Sequence, residues 1–438
     1  MRAAMQSLWP ESDRSPEVPS FCVSSSRRSQ TQTRSSEQMN TRVTVILAGR
    51  VYPDVVGGAE IFAYRLCKAL RSRGHLVTIA GALSTKSARM YRRLGILTSG
   101  DFACAYEHLP RGVARTFSVV ALLASVALAE LHSHTTVFLC FGTHASLVGY
   151  PLSRLLRRKF LVRCMGGDLI SLGREAGSLN ERIEKAAYHL AFSFTRRAGT
   201  IIVMSEWMRE YLLSFGVPKR GIVKIPNAVD WRPNLIKEGP STSNRRLTLV
   251  YVGRFVKALD AEKGLELLLN AFAMFKRSHP DTMLVLVGRG LMRQEIIALA
   301  TSLGIRASLH LRDAPGPDQV GEILRESDVF VFPSAFEGMS NALLEAVLSG
   351  LPVVATDIPP NREFLKKVQG SVLVGLSPQA FCQGLVTMVG DLQRRTELAR
   401  RSAVELGPFY SIESIVCRYE EALFAKNPAV QTFGGSSC

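Results

Sequence analysis

The stretch "DVFVFPSAFEGMSNALLEA" (residues 328–346) reads as a strand, a loop and a helix in immediate succession. The apolar run "VFVF" suits a parallel strand covered on both faces. Pro333 ends it, and a helix is expected to begin around Ser340. Glu337 then falls in the loop at the carboxyl end of a strand, where open α/β sheets bind ligands. Glu345 stands about one and a half turns into the helix, and its side chain leans back toward the helix N-terminus. The amides of Gly338, Met339, Ser340 and Asn341 are donors at the positive end of that helix, suited to phosphate. Two carboxylates beside phosphates would repel them, so both are expected to face hydroxyls: a ribose diol and a sugar. Taken alone, E-x7-E spacing is also what a loop glutamate and a helix salt bridge produce.

Working outward, the same alternation fills the chain. "VTVILAG" (43–49) is followed by the helical "GAEIFAYRLCKALRSRG" (58–74), then by the strand-like "HLVTIAG" (75–81), "TVFLCFG" (136–142), "KFLVRCMGG" (159–167) and "GTIIVMS" (199–205). After the polar "KEGPSTSNRR" (237–246) a second series begins with "LTLVYVG" (247–253) and continues through "MLVLVG" (283–288), "SLHL" (308–311) and "PVVAT" (352–356), with helices between. This is the rhythm of βαβ units. The expected organisation is a tail without stable structure over 1–40, a Rossmann-like domain over 41–236, a linker over 237–246 and a second Rossmann-like domain over 247–410. A helix over 411–426 is expected to return toward the first domain, and 427–438 to be a loose tail. The fold class is α/β, two doubly wound sheets facing a cleft.

Composition limits the partners. The net charge is +17, and residues 41–240 hold nearly all of it, with 28 Lys and Arg against 13 Asp and Glu, or +15. A basic first half beside a neutral second half suggests an anionic partner for the first. The clusters "RMYRR" (89–93) and "RLLRRK" (154–159) suit anionic lipid headgroups, although each is equally a solvated helix face. No apolar run reaches the ~18–20 residues of a membrane span; "FSVVALLASVALAEL" (117–131) is expected to be a core helix. The eight cysteines show no C-x-x-C pair and are expected to be reduced thiols. Translation starting at Met39 rather than Met1 is one explanation of the polar beginning. No G-x-G-x-x-G loop follows either first strand, there is no P-loop, and there is no D-x-D. His132 and His134 lack a third spaced ligand, so no metal site is expected.

Other residues converge on the same predicted cleft. Arg254 follows the first strand of the second domain and Lys263 opens the next helix; together they suit a diphosphate. Lys257 is a rival for the second role. Gly57 and Gly58, in "PDVVGGAE" (53–60), lie between a strand and a helix N-terminus of the first domain and allow close backbone approach to phosphate.

At this point the chain resembles the retaining glycosyltransferases of the GT-B fold in the GT4 family, over about residues 43–425. The residues that carry the resemblance are "GGAE" (57–60), "VMSEWM" (203–208), "IPNAVD" (225–230), "GRF…EKG" (253–264), "FPSAFEGMSNALLEA" (332–346) and "GLPVVATDIPPNRE" (350–363). The resemblance implies metal-independent transfer of a sugar, a hexose, from a UDP- or GDP-linked donor with retained configuration and no other cofactor. It implies Arg254 and Lys263 on the diphosphate, Glu337 on the donor sugar, Glu345 on the ribose, Gly58 near the distal phosphate and Glu363 as a late donor-side contact. The sequence departs from the family pattern at "MGGD" (165–168), where Met165 stands in place of a histidine before Asp168; His144 is the alternative imidazole. Ala228 stands where glycine is common. The expected acceptor is a saccharide or a lipid-linked saccharide in surface-polysaccharide or glycolipid synthesis. The expected location is the cytoplasm or the cytoplasmic face of a membrane. A nucleotide-sugar epimerase or hydrolase of the same fold is the alternative. A basic nucleic-acid binder is a further one, weakened by the lack of aromatics among the basic clusters.

Overall fold

The computed structural model describes residues 42–47, 58–82, 102–104, 136–173, 179–237, 246–255, 263–313 and 317–424, together with Arg89 and Arg93. Gly57, Lys257, His132, His134, the 117–131 run and both tails lie outside the described residues.

The first sheet has seven strands in the order β3-β2-β1-β4-β5-β6-β7. These are β1 (Arg42–Leu47), β2 (Leu76–Ala82), β3 (Phe102–Cys104), β4 (Val137–Phe141), β5 (Lys159–Arg163), β6 (Thr200–Val203) and β7 (Ile222–Lys224). The second has six, in the order β10-β9-β8-β11-β12-β13, built from β8 (Leu247–Val252), β9 (Thr282–Val287), β10 (Leu309–Arg312), β11 (Val329–Phe332), β12 (Val353–Thr356) and β13 (Val372–Val374). Pairing is parallel throughout both sheets. Each sheet reverses its winding beside its first strand, between β1 and β4 and between β8 and β11, and those reversals are where doubly wound sheets take ligands.

The strand sequences explain the layering. Successive side chains point to opposite faces, so Val43, Val45, Val137 and Leu139 enter one core while Ile46, Phe138 and Cys140 enter the other. The second sheet divides in the same way, with Leu249, Leu284 and Val329 on one side and Val250, Val285 and Phe330 on the other. A strand apolar on both faces is stable only when helices cover both, as they do here. The described cysteines with placed side chains are free thiols, and four of the five are buried.

The two sheets belong to one compact unit. The chain passes forward through Lys237, whose ammonium meets the Ser327 carbonyl at 2.6 Å and Asp328 at 3.1 Å. It returns at Ser411, where the Val229 amide donates to the Tyr410 carbonyl and the Ile412 amide to the Val229 carbonyl. Helix Ile412–Phe424 then completes the first domain's core. Ile412, Ile415, Val416 and Tyr419 pack with Phe62, Leu66 and the strands β1 and β4. Its end is fastened by Lys159, whose ammonium donates to the Ala422 and Leu423 carbonyls, and by Glu420, which accepts both Arg73 and His75. Among the described residues no helix is long and apolar enough to cross a membrane.

Because Ile415 is fully buried between that helix and the first sheet, Ile415→Ala is expected to cost about 2–5 kcal/mol of stability. A urea melt followed by circular dichroism checks this, and an unchanged midpoint would show that the helix is dispensable to the core.

Candidate functional site

The site forms where the loops at the carboxyl ends of the two sheets meet. On the second domain, helix Asn341–Leu348 begins after Ser340, whose hydroxyl caps it by accepting the Leu343 amide. Ser340 therefore serves the helix with its side chain. Before that cap, the amides of residues 338–342 find no acceptor among the described residues. A helix N-terminus with bare donors favours anions.

The two acids of the E-x7-E pattern share one arrangement. Oε1 of Glu337 takes Lys263 Nζ at 2.6 Å and the Ser334 hydroxyl at 2.8 Å. Oε1 of Glu345 takes Arg65 Nη2 at 3.0 Å. In each carboxylate the second oxygen accepts no hydrogen bond among the described residues. Each acid is thus neutralised and oriented on one side and left able to accept a hydroxyl on the other. Lys263 and Glu337 come from opposite sides of the β8–β11 reversal. Gly264, at φ +66°, makes this possible, since a Cβ there would stand 2.0 Å from the Pro333 carbonyl oxygen.

Arg254 follows β8 in the same region. Its neighbours Gly253 and Phe255 donate their amides to the Val287 and Arg289 carbonyls. Gly288 and Gly290 lie so close that a Cβ on either would be 1.8 Å from a carbonyl oxygen of Gly253 or Phe255. The backbone on both sides of Arg254 is fixed while its guanidinium forms no ion pair among the described residues.

From the first domain, Gly58 and Gly166 approach this loop. The Asn341 side chain donates Nδ2 to the Gly58 carbonyl at 2.7 Å, and a Cβ on Gly166 would stand 2.7 Å from the Gly338 nitrogen. Asn227 donates Nδ2 to the Met339 carbonyl at 2.9 Å, and its own amide meets Met339 Sδ at 3.4 Å. Trp207 packs edge-on against Phe336 with centroids 5.3 Å apart.

His144 sits in the short turn after β4, its ring edge-on to Tyr188 at 5.1 Å. Asp168 Oδ2 accepts the Thr143 amide at 2.9 Å and the Met165 amide at 2.8 Å. That acid ties the loop after β4 to the turn after β5, and so sets where His144 and Met165 stand. Glu363 fastens one domain to the other, its oxygens taking the Glu206 amide at 2.7 Å and Lys224 at 3.2 Å. Ala228 is fully buried, and its carbonyl accepts Arg65.

Three residues that sequence reasoning gave no role belong here: Arg65, Asn227 and Arg163. Arg65, only 6% exposed, bridges Glu345, Asp230 and the Ala228 carbonyl. Asn227 lies within "IPNAVD", a stretch noticed without a function for that side chain. Arg163 interrupts the apolar run of β5, and a charge inside a buried strand is the signal that could have found it.

The profile "Glycosyltransferase Family 4" matches residues 56–231, and "Glycosyl transferases group 1" matches residues 236–402. The phosphatidyl-myo-inositol mannosyltransferase of Mycobacterium tuberculosis is 23% identical over 419 residues, 86% of this chain and 96% of that one. The lipopolysaccharide core biosynthesis glycosyltransferase LpsE of Rhizobium meliloti is 32% identical over 176 residues, covering 40% of this chain and 49% of LpsE. Among solved structures, Anabaena HepE in complex with UDP and glucose superposes with a TM-score of 0.68 at 20% identity, over 87% of this chain and 99% of that one. Sucrose-phosphate synthase from Thermosynechococcus elongatus gives 0.67 at 18%, over 87% and 98%.

Arg65→Met leaves Glu345 and Asp230 without their shared cation and is expected to cost about 1–3 kcal/mol. Arg65→Lys should recover only part of this, because a single ammonium cannot fork across three acceptors. Denaturant melts of the two variants read the difference.

Proposed function

The chain belongs to the GT4-type glycosyltransferases of the GT-B fold, and on that premise we propose that it transfers a hexose from a UDP- or GDP-linked donor with retention of configuration and without a required metal. The observation that carries this reading is the pair Glu337 and Glu345, each with one oxygen held by a cation and one bare, on either side of unpaired amides. The diphosphate would lie on the amides of residues 338–342, with Lys263 and Arg254 as its cations and Gly58 near its distal end. Glu345 would take the ribose diol and Glu337 the donor sugar. His144, beyond β4, is the imidazole for the sugar or acceptor, with Asp168 positioning it.

In the reaction the bond between the donor's anomeric carbon and the phosphate oxygen breaks, and negative charge grows on that oxygen. Lys263, Arg254 and the helix N-terminus stabilise it where they already stand, which is the economical form of electrostatic catalysis. The acceptor hydroxyl forms its new bond on the face the phosphate leaves, and its proton passes to the departing phosphate oxygen. No carboxylate serves as a nucleophile in this reading.

For the acceptor, the named activities of the mannosyltransferase and LpsE support a glycolipid or polysaccharide. The basic surface refines this. Arg154, Arg157 and Arg158 precede β5, Arg196 and Arg197 precede β6, and Lys219 and Arg220 precede β7; all are exposed, and the three strands are neighbours. Leu155, 76% exposed, and Phe215 lie among them. Such a row suits an anionic membrane surface, each cation contributing about 1 kcal/mol. It lies at the amino ends of the strands, the end away from the site. A lipid-linked acceptor held there must therefore present its sugar about 17 Å from the bilayer, the length of a five-residue strand.

A thermal-shift panel of nucleotide-sugars is expected to give one selective rise, in the presence of EDTA, that disappears in Glu345→Ala; no rise with any UDP- or GDP-sugar overturns the donor assignment. Product analysis with acceptor should show the donor's anomeric configuration, whereas isomerised donor without acceptor would favour an epimerase. Arg157→Glu with Arg158→Glu is expected to weaken sedimentation with phosphatidylserine vesicles at least tenfold while leaving binding of the nucleotide-sugar unchanged.

A further inference from the structure

Arg163, the last residue of β5, is 0% exposed. Its Nη1 donates to the Tyr419 hydroxyl and its Nη2 to Asn227 Oδ1. Its guanidinium carbon lies 4.1 Å from the centre of the Phe62 ring. Nε is buried without an acceptor, and no carboxylate pairs with the group among the described residues. Burial lowers its pKa, with Tyr419 opposing, yet an arginine stays charged. A buried cation satisfied only by a phenol, an amide and aromatic faces is a costly arrangement. The position of the amide suggests what it serves.

A guanidinium has donors and no acceptor. The atom of Asn227 that faces it must therefore be the carbonyl oxygen, which settles the amide's orientation by chemistry. The Nδ2 group then points the opposite way, to the Met339 carbonyl at 2.9 Å. Asn227 is itself 5% exposed, so solvent does not offer it another orientation. Met339 stands in the middle of the loop whose amides carry no acceptor.

We propose that Arg163 is a positioning residue: it locks the Asn227 amide as a donor to Met339, and so holds the amides of residues 338–342 in register for the donor's diphosphate. Through Tyr419 the same guanidinium ties that register to the C-terminal helix. The inference rests on the donor assignment above and adds a residue that acts on the site without touching the ligand.

Asn227→Asp tests it with nearly unchanged shape. The new carboxylate gives the Arg163 charge the counterion it lacks, but presents an oxygen instead of a donor to the Met339 carbonyl. The expected result is a melting temperature at or above that of the wild type together with at least tenfold weaker binding of UDP or GDP by calorimetry. Affinity and stability falling together, or a variant that fails to fold, would make Asn227 a packing residue only and overturn the relay. Unchanged affinity would overturn it as well. Arg163→Met is expected to lose both stability and affinity, and wild-type affinity in that variant would refute the role directly. A wild-type protein that binds neither nucleotide would instead overturn the donor assignment, and with it the relay.

Discussion

The contact on which the rest of the structure depends is backbone against backbone: Gly166 of the first domain on Gly338 of the second, where a Cβ on Gly166 would stand 2.7 Å from the Gly338 nitrogen. Two doubly wound sheets present their ligand-binding ends as loops, and loops are variable in length and soft. Here they are brought together at a point where neither chain carries a side chain. The approach is closer than any packed side chains would permit, and it places the N-terminus of helix Asn341–Leu348 against residues of the other domain. Met204 and Met208 close over the same glycine, at the 2.9 Å where its Cβ would be. A site that must enclose a ligand between two rigid bodies needs such a fixed point, because misplacement by an ångström costs orders of magnitude in rate.

Around that point, the electrostatics follow a single rule. Glu337 and Glu345 are each held by a cation on one oxygen, and among the described residues the other oxygen accepts no hydrogen bond. Glu337 is held from its own domain by Lys263, whereas Glu345 is held by Arg65 from the opposite domain. The difference has a consequence. The position of Glu345 thus depends on the packing of the two domains, and that of Glu337 does not. Arg254 forms no ion pair among the described residues.

Much of this was legible in the sequence, and what escaped did so for identifiable reasons. The strands expected at 43–49, 75–81, 136–142, 247–253 and 283–288 correspond to β1, β2, β4, β8 and β9, because runs rich in apolar and β-branched residues outweigh any competing pattern. The three strands not anticipated, β3, β7 and β13, are each three residues long and lie at sheet edges. Three residues are too few to show a period, and an edge strand need not be apolar on both faces. In the site, E-x7-E was readable because it is local, a loop and a helix turn. The partner of Glu345 was not, since Arg65 is 280 positions away and sits in a helix whose spacing shows only that it is amphipathic. Glu363 has a second role that its place in a recognisable stretch did not show: its oxygens accept the Glu206 amide and Lys224 from the other domain.

The charge of the first domain illustrates the same limit. Its surplus of basic residues was correctly located by counting, but a count cannot separate cations that face solvent from those that are structural. The fold divides them cleanly. Seven exposed cations line the amino ends of β5, β6 and β7. Arg65 and Arg163 are buried near the carboxyl ends, where they bind Glu345 and Asn227. The first set is screened by salt over about 8–10 Å; the second is shielded from it. Ionic strength therefore separates the two: any association through the amino edge weakens as salt rises, while the architecture of the site, held by buried guanidinium groups, does not.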